Sequence, residues 1–261
     1  MNKNDFRYML RGKHVRDLNN SDFSLLKPVN KYGKKTDHAV ILLHGFSSSA
    51  AVYRDLIPQL QHYDAIICPN LPGHASSIED FSRTTATDWL LYATQICEDL
   101  FKKYHKVDII GLSLGGLLTC KLSEHFSFNH IFLLAPALKL VMDERKNLAF
   151  AKTAIRLGFK EVRGTAGNLV TNEHAEISYR RIPLISITEM LSFILEHRWV
   201  APQTPVDLFL GTQDKVVSSP DVEHMFLNLP NVTIHWLPNS AHILALEEDL
   251  EQIVTCINNT K

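Results

Sequence analysis

Val107-Asp108-Ile109-Ile110-Gly111-Leu112-Ser113-Leu114-Gly115-Gly116-Leu117-Leu118-Thr119-Cys120 changes its periodicity halfway along. The first residues are mostly apolar and β-branched and predict a short buried strand. From Leu114 onward, apolar residues and two glycines predict a helix that starts without an ordinary cap. Between the two sits Gly-x-Ser-x-Gly, with Gly111 and Gly115 on either side of Ser113. A serine on so sharp a strand-to-helix turn takes a strained backbone conformation, and glycines remove the Cβ atoms that would collide there. Its hydroxyl then stands over the sheet edge, at the positive end of the new helix. The plainer alternative is a Gly/Ser-rich turn without chemistry, because so short a pattern also arises by chance.

On both sides of this stretch, strand and helix patterns alternate. Residues 39–43, 65–68, 131–135, 206–210 and 232–236 read as buried strands, and residues 51–61, 188–197, 220–227 and 247–257 as helices. Thr87 and Asp88 predict a cap for a helix reaching about residue 104, and the helix after Ser113 is expected to run to about residue 125. This alternation calls for a parallel sheet with helices on both faces. Right-handed crossovers then gather the loops after the strands at one edge, where open α/β sheets bind their ligands. Residues 137–186 break the pattern, with amphipathic pieces, a polar middle (Gly164-Thr165-Ala166-Gly167-Asn168) and no clear strand. The expected organisation is an N-terminal extension at 1–36, with a short extended piece at 23–26. A core follows at 37–136 and 187–261, interrupted by an insertion at 137–186.

The chain has 261 residues, enough for one large α/β domain. Lys plus Arg is 27 and Asp plus Glu 28, so the net charge of −1 provides no reason to expect nucleic acid or an anionic membrane as partner. No apolar run follows the first charged residues, and no stretch of about 18 apolar residues exists, so neither a secretory signal nor a spanning helix is expected. The four cysteines, Cys68, Cys97, Cys120 and Cys256, are far apart. They predict reduced core thiols, and hence a cytoplasmic protein, rather than a disulfide framework or a zinc site.

A serine hydroxyl is a poor nucleophile until a base takes its proton, and the base needs an acid to orient it. His242 follows the last strand in a polar turn, and Asp214 follows the strand ending at Gly211. Alone, each reads equally as a surface residue, and the chain has 13 histidines. Together they complete the order Ser, Asp, His, each in a loop at the same sheet edge. Two backbone N–H groups should receive the developing oxyanion: that of Leu114, after the serine, and that of Phe46, in the His44-Gly45-Phe46 loop opposite it.

Five blocks then resemble, in order, the α/β-hydrolase superfamily: His44-Gly45-Phe46, Leu71-Pro72-Gly73-His74, Gly111-Leu112-Ser113-Leu114-Gly115-Gly116, Gly211-Thr212-Gln213-Asp214-Lys215-Val216-Val217 and Ser240-Ala241-His242-Ile243. Within it, the chain is similar to the bacterial carboxylesterase and monoacylglycerol-lipase branch. The resemblance implies the α/β-hydrolase fold, with a small, mainly helical cap inserted after the strand closed by Pro136. It implies Ser113 as nucleophile, Asp214 as acid, His242 as base, Phe46 and Leu114 as oxyanion donors, and supporting roles for His44, Gly45, Gly111 and Gly115. It also implies no metal or cofactor, and a small acyl ester or lipid as substrate: a short or medium acyl ester, a monoacylglycerol or a lysophospholipid. The cap residues Leu138, Leu140, Val141, Met142, Phe150, Ile155, Leu157 and Phe159 would together face the acyl chain, although for any single one packing the cap onto the core is the plainer reading. Tyr179 and Pro183 match a Tyr-x-x-x-Pro pattern of the branch, with a structural role. Two departures are the long polar extension and Ala241, where a glycine is usual. Thioester hydrolysis or acyl transfer, carbon–carbon bond hydrolysis with cap arginines such as Arg180 and Arg181, and ligand binding without turnover remain open alternatives.

Overall fold

The computed structural model describes residues 3–10, 13–164, 168–171 and 173–260. Thr165, Ala166 and Gly167, from the polar middle of the expected cap, lie outside the described residues. In chain order the strands are β1 (Phe6–Leu10), β2 (Lys13–Asp17), β3 (Val29–Tyr32), β4 (His38–Leu43), β5 (Ala65–Cys68), β6 (Lys106–Leu112), β7 (Ile131–Leu134), β8 (Glu161–Arg163), β9 (Glu176–Tyr179), β10 (Arg181–Pro183), β11 (Val206–Gly211) and β12 (Val232–Leu237). The helices are α1 (Ile78–Arg83), α2 (Ala86–Lys103), α3 (Leu114–Leu122), α4 (Glu144–Arg156), α5 (Leu184–Glu196), α6 (Ser219–Phe226) and α7 (Leu250–Asn259).

Seven strands form the central sheet in the order β12-β11-β7-β6-β4-β5-β3. All neighbours are parallel except β3, which runs antiparallel along β5 at the edge. Both faces are covered, which explains why the inner strands read as unbroken apolar runs rather than alternating ones. Successive side chains still point to opposite faces. Ile41, Ile109, Leu133 and Leu208 enter one buried cluster, while Val40, Ile110, Phe132 and Phe209 enter the other. Every strand of the parallel set therefore delivers its following loop to the same edge.

Several local expectations are corrected. Residues 51–61 form two short 3-10 turns, Ala50–Tyr53 and Ile57–Gln59, rather than one helix. Pro58 has no N–H to donate and disfavours helical backbone at the residue before it. The cap of α2 is Thr85, two residues earlier than expected, in a reciprocal capping box with Asp88. α3 stops at Leu122, and α7 starts at Leu250 after a 3-10 turn at Leu244–Leu246.

The N-terminal residues and the insertion differ most. β3 belongs to the central sheet, the expected extended piece at 23–26 lies in a 3-10 helix (Asn20–Leu26), and α1 was not anticipated. β1 pairs with β2 on one side and with β9 on the other, so the first residues and the insertion share a small antiparallel sheet. β8 pairs with β10. These strands are three to five residues long, too short for a period of two to show, and β1 meets β9 far along the chain. Phe6 sits opposite Tyr179 with ring centroids 4.5 Å apart, and Tyr179 stacks on Phe81 at 5.0 Å. The Tyr179 hydroxyl donates to Gly73 O at 2.6 Å and accepts from Ser76 N–H at 3.1 Å. Pro183 provides the N-cap position of α5. The Tyr-x-x-x-Pro pair thus ties the insertion to the loop after β5.

The apolar cap residues do not converge on one acyl channel. Leu138 and Leu140 are buried in the core, whereas Val141, Met142, Phe150, Leu157 and Phe159 are exposed. α4 turns Leu148 and Ala151 inward, at helical spacing, which leaves Phe150 on the outer face. Ile155 and Phe159 line a surface groove of about 710 Å³ with Ile78, Pro183 and Ile185, and no residue of the serine turn lines it. Truncating the β1 anchor, Phe6→Ala, should lower stability by about 3 kcal/mol in urea unfolding, because a fully buried ring is lost. Leu91→Ala, at an exposed position of α2, should stay within about 0.5 kcal/mol.

Candidate active site

β6 ends at Leu112 and α3 begins at Leu114, so the single residue between them must reverse the chain. Ser113 does so at φ 54° and ψ −114°, a conformation that costs a non-glycine residue of order 1–3 kcal/mol. The crowding around it explains its glycines. A Cβ on Gly115 would stand 1.9 Å from Leu43 O, and one on Gly111 would stand 2.5 Å from Gly115 O. Gly45 brings the loop after β4 onto the serine, where its missing Cβ would lie 3.3 Å from Ser113 Cβ.

His242 Nε2 lies 3.0 Å from Ser113 Oγ, and His242 Nδ1 lies 2.8 Å from Asp214 Oδ2. The Asp214 side chain is fully buried, and its other oxygen, Oδ1, accepts the Val216 and Val217 N–H groups at 2.8 and 2.9 Å. Its orientation is therefore set by its own turn. Nδ1–H donates to the carboxylate, which leaves Nε2 with a lone pair toward the serine hydroxyl. Burial alone would depress the imidazole's proton affinity. The Asp214 charge and its hydrogen bond outweigh that, and the His242 pKa is raised above its ordinary value.

Leu114 is the first residue of α3, so its N–H has no acceptor within the helix. Among the described residues no backbone acceptor meets the Phe46 N–H. The loop that carries Phe46 is held from behind by His44, whose Nδ1–H donates to Gly45 O at 2.9 Å and whose Nε2 accepts Leu71 N–H at 3.0 Å. That double role requires a neutral ring, and burial lowers the His44 pKa to about 4. The Phe46 ring packs on Phe81 at 5.2 Å and meets Trp89 edge-on at 6.1 Å.

The structure thus brings together Ser113, Asp214, His242, Gly45, Phe46 and Leu114, with His44, Gly111 and Gly115 as their packing. Sequence reasoning missed several neighbours. The Ser178 hydroxyl on β9 donates to Ser47 O at 3.1 Å, and the two hydroxyls are also 3.1 Å apart, clamping the Phe46 loop to the insertion. Asn168 O accepts His242 N–H at 2.9 Å, while its amide oxygen accepts Lys215 N–H at 2.7 Å. Buried Glu247 accepts the N–H groups of Val170, Thr171 and Ala241. Glu176, on the same face of β9 as Ser178, adds negative charge that raises the His242 pKa further. These four positions belong to no short motif. Of them, Glu247 reads in sequence only as the start of the closing helix.

The charge relation between Asp214 and His242 can be tested by nuclear magnetic resonance. The His242 imidazole should titrate above the ordinary value of about 6.5, and in Asp214→Asn its pKa should fall because the opposing charge is gone. An unchanged pKa in the variant would contradict the assignment.

Comparison with known proteins agrees with this geometry. The sequence profile of the alpha/beta hydrolase family matches residues 40–255. A thermostable monoacylglycerol lipase from Bacillus sp. (strain H-257) is 24% identical over 235 residues, 85% of this chain and 90% of the relative. A carboxylesterase from Bacillus subtilis (strain 168) is 20% identical over 230 residues, 84% of this chain and 90% of the relative. Among solved structures, one from a study of the metagenome-derived lipolytic enzymes LipS and LipT superposes with a TM-score of 0.78 at 23% identity, covering 88% of this chain and 95% of that one. The monoacylglycerol lipase of Paleococcus ferrophilus gives 0.68 at 17% identity, covering 90% of this chain and 100% of that one. With the profile spanning most of its length and the strand order to match, the chain belongs to the alpha/beta hydrolase family.

Proposed function

We propose that the protein is a carboxylic ester hydrolase, with short or medium acyl esters, monoacylglycerols or lysophospholipids as its substrate class, and that Ser113 is its nucleophile. The observation that carries this reading is the continuous chain Ser113 Oγ, His242 Nε2, His242 Nδ1, Asp214 Oδ2, built on the strained turn beneath the Phe46 and Leu114 N–H groups, which meet no backbone acceptor among the described residues. The named activities of the two Bacillus relatives support the ester as substrate.

The reaction then runs in two halves. Ser113 Oγ attacks the acyl carbonyl while His242 Nε2 takes its proton, and the tetrahedral oxyanion is received by the Phe46 and Leu114 N–H groups. His242 returns the proton to the departing alcohol, which leaves the acyl group on Ser113. Water, deprotonated by His242, attacks that ester, and His242 passes the proton to Ser113 Oγ as the acid leaves. Asp214 holds the imidazole in the right tautomer throughout and stabilises its positive charge. Preformed donors are worth about 3–4 kcal/mol each to such a reaction. They act here from backbone that cannot rotate away.

A p-nitrophenyl ester series from acetate to palmitate, with a monoacylglycerol beside it, tests the proposal. Ser113→Ala should lower kcat/KM by a factor of about 10³ or more. Turnover requires neutral His242, so kcat/KM should fall with decreasing pH through an apparent pKa above about 6.5. Full activity in Ser113→Ala, or binding of these esters without turnover by the wild type, would overturn the reading.

A further inference from the structure

Asp207, on β11, has no part in the site above. It lies near the start of that strand, whereas Asp214 follows the strand's other end. The Asp207 carboxylate is nearly buried between two imidazoles. His235 Nε2–H donates to Oδ1 at 2.6 Å, and His130 Nε2–H donates to Oδ2 at 2.7 Å. Cys256 Sγ, from α7, comes within 3.9 Å of His235 Nε2. One ligating atom each from Asp207, His235 and Cys256 falls inside a cluster no wider than 4.8 Å. The two rings are braced, His235 stacking on Phe209 at 4.6 Å and His130 on Phe132 at 4.5 Å. His235 and Cys256 also line an open groove of about 690 Å³, with Glu251, Gln252 and Thr255.

We propose that Asp207, His235 and Cys256 form a metal site for a divalent zinc ion, separate from the ester-hydrolysing site. One carboxylate oxygen, one imidazole nitrogen and one thiolate sulfur make a ligand set suited to a borderline-soft ion. Water from the groove completes the tetrahedron. The ion takes the place of the hydrogen that His235 Nε2 shares with Asp207, that proton moving to Nδ1 so that the imidazole stays neutral, and Cys256 gives up its thiol proton to solvent. In a tetrahedral zinc site, neighbouring N and O ligands stand about 3.4 Å apart and N and S ligands about 3.5 Å apart. His235 therefore swings away from Asp207 and toward Cys256, each by less than about 1 Å, within the reach of a ring edge that is already part-exposed. Charges balance, since carboxylate and thiolate offset the ion. His130, on the other oxygen of Asp207, is a positioning residue that fixes the carboxylate's direction.

The sequence reading expected no metal, and read Cys256 as a core thiol. The ligands come from two adjacent parallel strands and the closing helix, with none of the close Cys/His spacing that marks a zinc motif. The geometry points to a site that ties α7 to the outer edge of the sheet.

The test is equilibrium dialysis of the full chain against zinc, followed by metal analysis, on wild type, His235→Ala and Cys256→Ser. Wild type should retain one ion per chain and show a raised Tm, and each variant should lose that ion and the Tm response. His130→Ala should weaken binding about 10–100-fold without abolishing it. Cobalt substitution should give a thiolate charge-transfer band in wild type that is absent from Cys256→Ser. Retained ester turnover in the metal-free variants would show that they fold and that the two sites are independent. No stoichiometric binding by wild type, or equal binding by the variants, would overturn the proposal. The chain's 13 histidines make the second comparison necessary.

Discussion

The reactive edge depends on how closely three pieces of backbone pass one another at Ser113. β6 must turn into α3 within one residue, the end of β4 runs beside the first turn of that helix, and the loop after β4 lies over the serine side chain. Nothing but hydrogen fits at Gly115, where Leu43 O occupies the space of a Cβ. Gly211 is in the same position on the other side of the site, since its Cβ would stand 2.0 Å from Ala241 O. Steric exclusion thus brings the serine turn, the acid turn and the histidine loop into one volume before any hydrogen bond is counted. The strain at Ser113 is held there by a sheet buried on both faces.

Electrostatics then distinguishes the three side chains. Asp214 accepts two N–H groups of its own turn and the imidazole N–H, and its charge keeps His242 basic. His44, equally buried but with no acid beside it, is pushed the other way and remains neutral. Two histidines of one site therefore differ because one faces a carboxylate and the other faces a carbonyl and an N–H. Glu247 and Asn168 extend the support outward, each joining the histidine loop to the segment at 168–171.

The inner sheet was legible because parallel strands covered on both faces appear as unbroken apolar runs, and because the Gly-x-Ser-x-Gly turn puts a helix immediately after one of them. The order of Ser113, Asp214 and His242 along the chain could be read for the same reason, each following a recognisable strand. What escaped were contacts that join short pieces across long separations. β1 and β9 are five and four residues long, and neither shows a strand pattern without the other. The Ser47–Ser178 pair depends on the placement of β9, and the Glu247 carboxylate meets Val170 and Thr171 more than 70 residues away, so no local spacing announces them. The apolar residues of the insertion misled because hydrophobicity alone does not say which side of α4 faces inward.

The central claim is that Ser113, activated by its two partners, is the residue that becomes acylated. Reaction with a fluorophosphonate, followed by intact mass and peptide mapping, addresses it directly. The account predicts one adduct per chain, on Ser113, formed rapidly in wild type and much more slowly in His242→Ala, where the hydroxyl keeps its proton. An adduct on another serine, or equal labelling rates with and without His242, would contradict it.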